Sequence, residues 1–390
     1  MIRSVCASAA LLFSFAVTCL AADVPNSLTP EELNDGWILL FDGETTFGWK
    51  ANSDANWKVA EGVISVDSGT KGLLNTTSSF ADYVLKVDFR APKGTNSGVF
   101  LRTPLEPKDP ATDCYELNIA DESVSPFPTG SFVGRQKATG THDTTEWRTF
   151  TVKAEGGHFT VTIDGEQVLD YEDPRPLGRG YIGLQFNQGK VEFRNVKLKP
   201  LSLEPIFNGR DLTGWKEYPG KASKFSVTPE GWLNVKNGNG QLEFEQPVAD
   251  FVLQTEVFSN GVFLNSGIFF RNIPGEFWQG YESQIMNGHF GDRTKPIDYG
   301  TGAFYRRQKA RKIVSDDFKW FHKTLVVAGD HMATWVNGYQ VSDWTDDREP
   351  NENARNGKRL EAGTIAIQGH DPKTDLSFRN IKLGAMPPRE

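Results

Sequence analysis

The chain has 390 residues, 38% hydrophobic, 24% charged and 12% aromatic, with a formal net charge of −8. That length suffices for two or three domains, each with its own core, and the composition excludes collagen, coiled coil, a disulfide scaffold and long disorder. A chain of this acidic balance is also a poor partner for nucleic acid or an anionic membrane surface.

The first 22 residues read as a signal peptide. Arg3 gives the positive start, Ala9 to Val17 (AALLFSFAV) is a short apolar stretch, and Cys19-Leu20-Ala21-Ala22 offers small residues for cleavage before Asp23. The stretch is too short to span a bilayer, and no later stretch is long enough. The expectation is a periplasmic or secreted protein. Acylation of Cys19, as in a lipoprotein, is the minor alternative, because Ala16-Val17-Thr18 is a poor lead-in. After cleavage only Cys114 remains, so no intramolecular disulfide forms and core burial must hold the fold.

With 38 Gly, 27 Phe and 10 Trp against 4 Met, the rest reads as aromatic strands joined by Gly-rich turns. Tyr83-Val84-Leu85-Lys86-Val87-Asp88-Phe89 alternates with period two, as does Phe159-Thr160-Val161-Thr162-Ile163. Asp164-Gly165 then supplies the positive-φ pair of a tight hairpin. Pro200 and Pro205 stiffen a short link, after which Phe251-Val252-Leu253-Gln254-Thr255-Glu256-Val257 alternates again and Asn337-Gly338 offers a second hairpin. No helical periodicity persists beyond a turn or two. Many short strands per half predict an all-β fold, a two-sheet β-sandwich of jelly-roll type in each half.

The two halves repeat each other in order. Phe41-Asp42-Gly43 with Gly48-Trp49-Lys50 returns as Phe207-Asn208-Gly209 with Gly214-Trp215-Lys216. Asn96-Ser97-Gly98-Val99-Phe100-Leu101-Arg102 returns as Asn265-Ser266-Gly267-Ile268-Phe269-Phe270-Arg271. Tyr115-Glu116 matches Tyr281-Glu282, Arg135-Gln136-Lys137-Ala138 matches Arg307-Gln308-Lys309-Ala310, and Phe193-Arg194-Asn195-Val196 matches Phe378-Arg379-Asn380-Ile381. This is a duplicated domain, expected at 23–200 and 201–388.

The ordered set FNGxxLxGW, NSGxFxR, YExQ, TGAxY and FRNI resembles the 3-keto-disaccharide hydrolase domain family, formerly a domain of unknown function. The resemblance covers both halves. It implies two tandem concanavalin-A-like lectin/glucanase sandwiches, and cleavage of glycosides whose sugar is oxidised at C3. A C3 ketone acidifies the C2 proton, so a base can remove it and the C1 oxygen leaves by elimination, with water adding back. Such a site needs a base near C2, a donor or cation at the developing enolate oxygen and an acid for the leaving group. It does not need the carboxylate pair that flanks an oxocarbenium ion.

Candidate residues follow. Glu282 and Gln284 of Tyr281-Glu282-Ser283-Gln284-Ile285 share one strand face. If that face lines a sugar groove, both point into it; the plainer reading is a solvated sheet face. His370, in Gln368-Gly369-His370-Asp371, suits a base, an acid or a metal ligand near neutral pH, against the plainer reading of a surface loop histidine. The family pattern also carries a histidine here, so His370 and Glu282 are the catalytic candidates. Asn265, Gly267, Phe269 and Arg271 would share a face, placing Arg271 to bind a ketone or enolate oxygen. Trp278 and Tyr305 are candidate stacking platforms for a sugar ring, whereas Trp49, Trp215, Trp147 and Trp320 repeat with the fold motifs and read as core.

In the first half Asn187 stands in place of His370, Asn118 of Gln284 and Val133 of Tyr305. That half therefore reads as a degenerate or glycan-binding copy. Metal ligation is left open: no HExxH, EF-hand loop or paired Cys is present, and Glu282 with His370 would supply only half of a divalent site. No phosphate-binding Gly loop appears, so no nucleotide cofactor is expected. The C3 oxidation would come from a separate sugar 3-dehydrogenase acting upstream. Two functions stay in play: an exported 3-keto-glycoside hydrolase or lyase, and a non-catalytic carbohydrate-binding protein.

Overall fold

The computed structural model of the chain describes residues 24–387. The stretch read as a signal peptide, 1–22, lies outside them. Apart from one short helix, Pro30–Asn34, capped by Thr29 and Glu32 in a capping box, the described elements are strands.

Each half is a sandwich of one eight-stranded and one five-stranded sheet, and all strand pairings are antiparallel among the described residues. In the first half the five-stranded sheet runs in the order Trp49–Ala51, Gly72–Thr76, Tyr181–Phe186, Asn96–Thr103, Tyr115–Ala120. In the second it runs Trp215–Glu217, Gly240–Val248, Gly363–Gly369, Ser266–Asn272, Tyr281–Ile285. The two orders are the same strand for strand. Both halves are thus all-β sandwiches, as the alternating strands anticipated.

Local sequence explains the hairpins. Asp164 and Gly165 take φ of 51° and 87°, and Asn337 and Gly338 take 48° and 75°. These values close two-residue turns whose twist matches the flanking strands. Alternation fills the space between sheets: Phe321, Leu325 and Val327 of Trp320–Ala328 face the second core, which also holds Ile268, Phe270, Tyr281 and Ile285.

The halves pack directly on one another. Val252, Val326, Ala333 and Trp335, on the outer face of the second eight-stranded sheet, join the hydrophobic cluster of the first half. Trp335 Nε1 donates to Leu39 O at 2.8 Å, and Arg311 pairs with Asp42 at 2.8 Å.

The tryptophans divide. Trp49 and Trp215 are buried and donate their indole N–H to Leu40 O and Ile206 O. Trp147 and Trp320, expected in the core, are instead half-buried. Guanidinium groups cover their rings: Arg90 and Arg194 lie over Trp147, and Arg379 lies over Trp320 at 4.1 Å.

Candidate active site

The five-stranded sheet of the second half carries a cavity of ≈ 510 Å³. Its lining includes Asn265, Trp278, Glu282, Tyr305, Arg355 and His370. Strand alternation places Tyr281, Ser283 and Ile285 inward and Glu282 outward onto the cavity floor. There Glu282 pairs across the ladder with Phe269. Gly267 sits beside it for a steric reason: a Cβ there would lie 2.8 Å from Glu282 Cγ and Oε1.

Glu282 is 5% exposed. Burial raises its pKa, and Asp298 adds to the rise. Arg355, whose Nη2 donates to Glu282 Oε2 at 3.1 Å, and His370 oppose it. The result is a buried carboxyl that holds its proton more tightly than a free glutamate, a property found in acid–base groups.

Arg355 comes from the loop between Asp346 and Gly363. Its Nε donates to Trp278 O at 3.0 Å, and its guanidinium lies 4.8 Å from the Phe269 ring centroid and 5.9 Å from that of Tyr305. The charge is thus held at the cavity beside those two rings.

His370 follows the strand Gly363–Gly369. Its Nδ1 lies 3.0 Å from Asp371 Oδ2, and its main-chain N–H donates to Thr374 Oγ1 at 2.9 Å. With Asp371 accepting from Nδ1–H, Nε2 carries the lone pair and has no protein partner among the described residues. The ring runs parallel to Trp278, centroids 6.1 Å apart at 7°. Trp278, with φ of 57°, is itself held by Gln241 Oε1, which accepts its main-chain N–H at 2.7 Å. Tyr305 donates its main-chain N–H to Glu282 O at 3.0 Å, and its ring meets Tyr299 edge-on.

The structure therefore brings together Glu282, His370, Asn265, Trp278 and Tyr305. Gln284 stands one step back, its amide donating to Asp298 at 2.6 Å and to Asn265 at 3.5 Å.

Arg271 is not brought to the site. Its side chain is fully buried, donating to Ala249 O, Arg359 O and Asp250 Oδ1 at 2.9, 2.8 and 2.7 Å. The expected face-sharing fails because the ladder shifts register between Phe269 and Asn272, with Arg271 at φ of 45°. A bulge adds a residue and reverses the side-chain parity beyond it. Asn272, next along, is fully buried, its amide donating to Ile273 O and Glu276 O at 3.1 Å each. Arg102 repeats the arrangement in the first half, bound to Ala81 O, Gly156 O, Leu177 O and Asp82.

The sequence reading did not single out Arg355 or Asp371. Asp371 adjoins His370, a spacing at which a carboxylate can reach the ring. Arg355 left a fainter trace: the offset between repeats grows across its loop, which runs from Asp346 to Gly363 where the first half needs only Asp173 to Gly180. Among the described residues no three His, Cys, Asp or Glu side chains are grouped as a metal ion would require, so Glu282 and His370 stand as two donors without a third.

In fold and site the protein is a pair of β-sandwiches, the second of which carries a cavity lined by ionisable groups on its five-stranded sheet. The chain belongs to the 3-keto-alpha-glucoside-1,2-lyase-like domain family, whose pattern matches residues 36–199 and again 202–384. It is 23% identical over 250 residues to the 3-keto-disaccharide hydrolase of Bacteroides thetaiotaomicron, covering 48% of this chain and 86% of that protein. Solved structures similar to it include a putative glycosyl hydrolase from Parabacteroides distasonis (23% identity, 46% of this chain and 100% of that one, TM-score 0.41). Another is a carbohydrate binding module from Bacillus subtilis (17% identity, 39% of this chain and 95% of that one, TM-score 0.31).

Proposed function

We propose that the second half cleaves glycosides bearing a ketone at C3 of the sugar, by elimination across C1–C2 followed by hydration. The observation that carries this reading is the Asp371–His370 pair, whose unpartnered Nε2 adjoins a cavity floored by Glu282 and Arg355. His370 Nε2 takes the C2 proton, and Asp371 stabilises the imidazolium that results. Arg355 is the donor for the enolate oxygen at C3, a role first assigned to Arg271. The C1–oxygen bond then breaks, Glu282 protonates the departing oxygen, and a C1=C2 enone and a free alcohol remain. Water adds at C1 and the proton returns to C2, so the net reaction is hydrolysis. Trp278 and Tyr305 contact the ring, and Asn265, held from behind by Gln284, orders its hydroxyls.

The first half, with Asn187 in place of His370, is non-catalytic on this reading. The leader at 1–22 sends the protein out of the cytoplasm, and a separate dehydrogenase supplies the oxidised sugar.

The test is incubation of the mature protein with a chromogenic 3-keto-glucoside and the unoxidised glucoside, with and without EDTA. Cleavage of the keto form alone is expected. His370→Ala and Glu282→Gln should each cut turnover by about 10²–10⁴-fold, and Asn187→Ala should leave it unchanged. Full activity in both site variants sinks the assignment. Glycan binding without cleavage of any keto-sugar transfers the protein to the lectin reading, which the Asn187 site favours. EDTA sensitivity decides the metal.

A further inference from the structure

Directly behind the strand that presents Glu282, the second core contains a charged side chain that the first core lacks. Lys323 is 1% exposed, on the face of its strand that otherwise carries Phe321, Leu325 and Val327. Its Nζ reaches across the sandwich and donates to Ser283 O at 3.1 Å and Gln284 O at 2.8 Å. Beside it, the Ser283 and Thr334 hydroxyls are 3.3 Å apart, both fully buried.

Ladder registers identify the counterparts. Thr255 pairs with Lys323 as Val87 pairs with Phe150, and Phe269 pairs with Glu282 as Phe100 pairs with Glu116. Ser283, Lys323 and Thr334 therefore answer to Leu117, Phe150 and Val161, all fully buried in the first core. Phe150 there stacks on Phe89 at 4.2 Å. The fold closes well on the apolar trio, and a buried amine costs several kcal/mol in desolvation. The polar trio is thus not something this sandwich needs in order to form.

We propose that Lys323 is a positioning residue for the second-half site: from inside the sandwich it braces the strand presenting Glu282 and Gln284 and sets positive charge behind the Glu282 carboxyl. Its two acceptors are consecutive carbonyls immediately after Glu282, so the amine fixes the peptide planes next to the one from which the floor carboxyl projects. Burial pushes the Lys323 amine down to about 7, with Glu282 drawing it back up. Glu282 in turn faces Arg355, His370 and Asp298 on the cavity side. Lys323, which interacts electrostatically with Glu282, adds an attraction from the opposite side that favours the ionised carboxyl. The inference rests on the proposed catalytic role of Glu282 but reads out on the carboxyl itself.

The experiment is a ¹³Cδ-glutamate NMR titration of the full chain, with the Glu282 signal assigned by its loss in Glu282→Gln. In Lys323→Met the Glu282 midpoint should rise by about one pH unit or more, a tenfold change in its ionisation constant. If the Met variant folds poorly, the combination Ser283→Leu, Lys323→Phe, Thr334→Val installs the packing of the first core and should give the same rise. An unmoved midpoint in a folded variant overturns the proposal, because loss of a merely structural lysine would lower the melting temperature and leave the titration alone. The measurement needs no substrate. A wild-type protein inactive on keto-glycosides would refute the functional reading while leaving this one decidable.

Discussion

Glu116 and Glu282 occupy one position on two copies of one sheet, opposite Phe100 and Phe269, and burial raises the pKa of both. Their surroundings differ. Glu116 has Gln185 at 3.1 Å, and Leu117, Phe150 and Val161 fill the core behind it; it stands near 7. Glu282 has Arg355 in front and Lys323 behind, with His370 and its Asp371 partner at the cavity mouth. The comparison teaches that duplication preserved the ladders, and that beyond the single-residue changes such as Asn187 to His370 the divergence lies in two places. One is the loop that lengthens from Asp173–Gly180 to Asp346–Gly363; the other is the layer of core beneath one strand. A sandwich sheet is a rigid platform, and chemistry is added from its loops and from charge placed under it.

The largest effect should come from what the halves share. Arg102 and Arg271 each hold loop carbonyls and an aspartate from a buried position, and removing one leaves those acceptors without partners. Arg102→Ala and Arg271→Ala should each cost about 3–5 kcal/mol in urea unfolding, by similar amounts. If Arg271→Ala kept full stability and lost only turnover, Arg271 would be a substrate residue after all, and the two arginines would not be equivalent.

The next effect separates the halves. The Glu116 carboxyl titrates at about 7 in the fold against 4.5 unfolded, so between those values the folded state binds the proton more tightly. Stability from this group is therefore present at low pH and is lost as pH rises through that window. The loss is on the order of 3 kcal/mol. Glu116→Gln should remove the slope, making the variant progressively more stable than the wild type from pH 4.5 to above 7, as read by denaturant midpoints. Glu282→Gln should show a smaller gain, because Arg355 compensates the ionised form. Equal gains in both variants would mean that the second site's charges do not act on Glu282.

The sequence carried the repeat, the alternating strands and the Asp-Gly and Asn-Gly turns, because these signals are local. It carried His370 and Glu282 through motif and strand face. It placed Arg271 wrongly, since parity along a strand holds only until a bulge, and a bulge is a property of the pairing with Gly363–Gly369 rather than of the strand alone. Arg355 escaped because its loop has no periodicity to place it. Lys323 escaped because a lysine in an alternating strand reads as outward-facing, and only the neighbouring core positions Phe321 and Leu325 show that it points in.

The smallest and most local break concerns Gly267. Its φ is not positive, so the backbone accepts alanine without strain, and the obstacle is Glu282 alone. A Cβ 2.8 Å from Glu282 Cγ and Oε1 must displace that carboxyl, and displacement stretches its pairing with Arg355. Gly98 in the first half meets Glu116 Cγ only at 3.4 Å. Gly267→Ala should lower turnover about tenfold, roughly 1.4 kcal/mol, with KM and melting temperature little changed, whereas Gly98→Ala should leave turnover as it was. Normal kinetics in Gly267→Ala would show that the position of Glu282 is not what the second half gained. The difference between the halves would then rest on His370 and Arg355 alone.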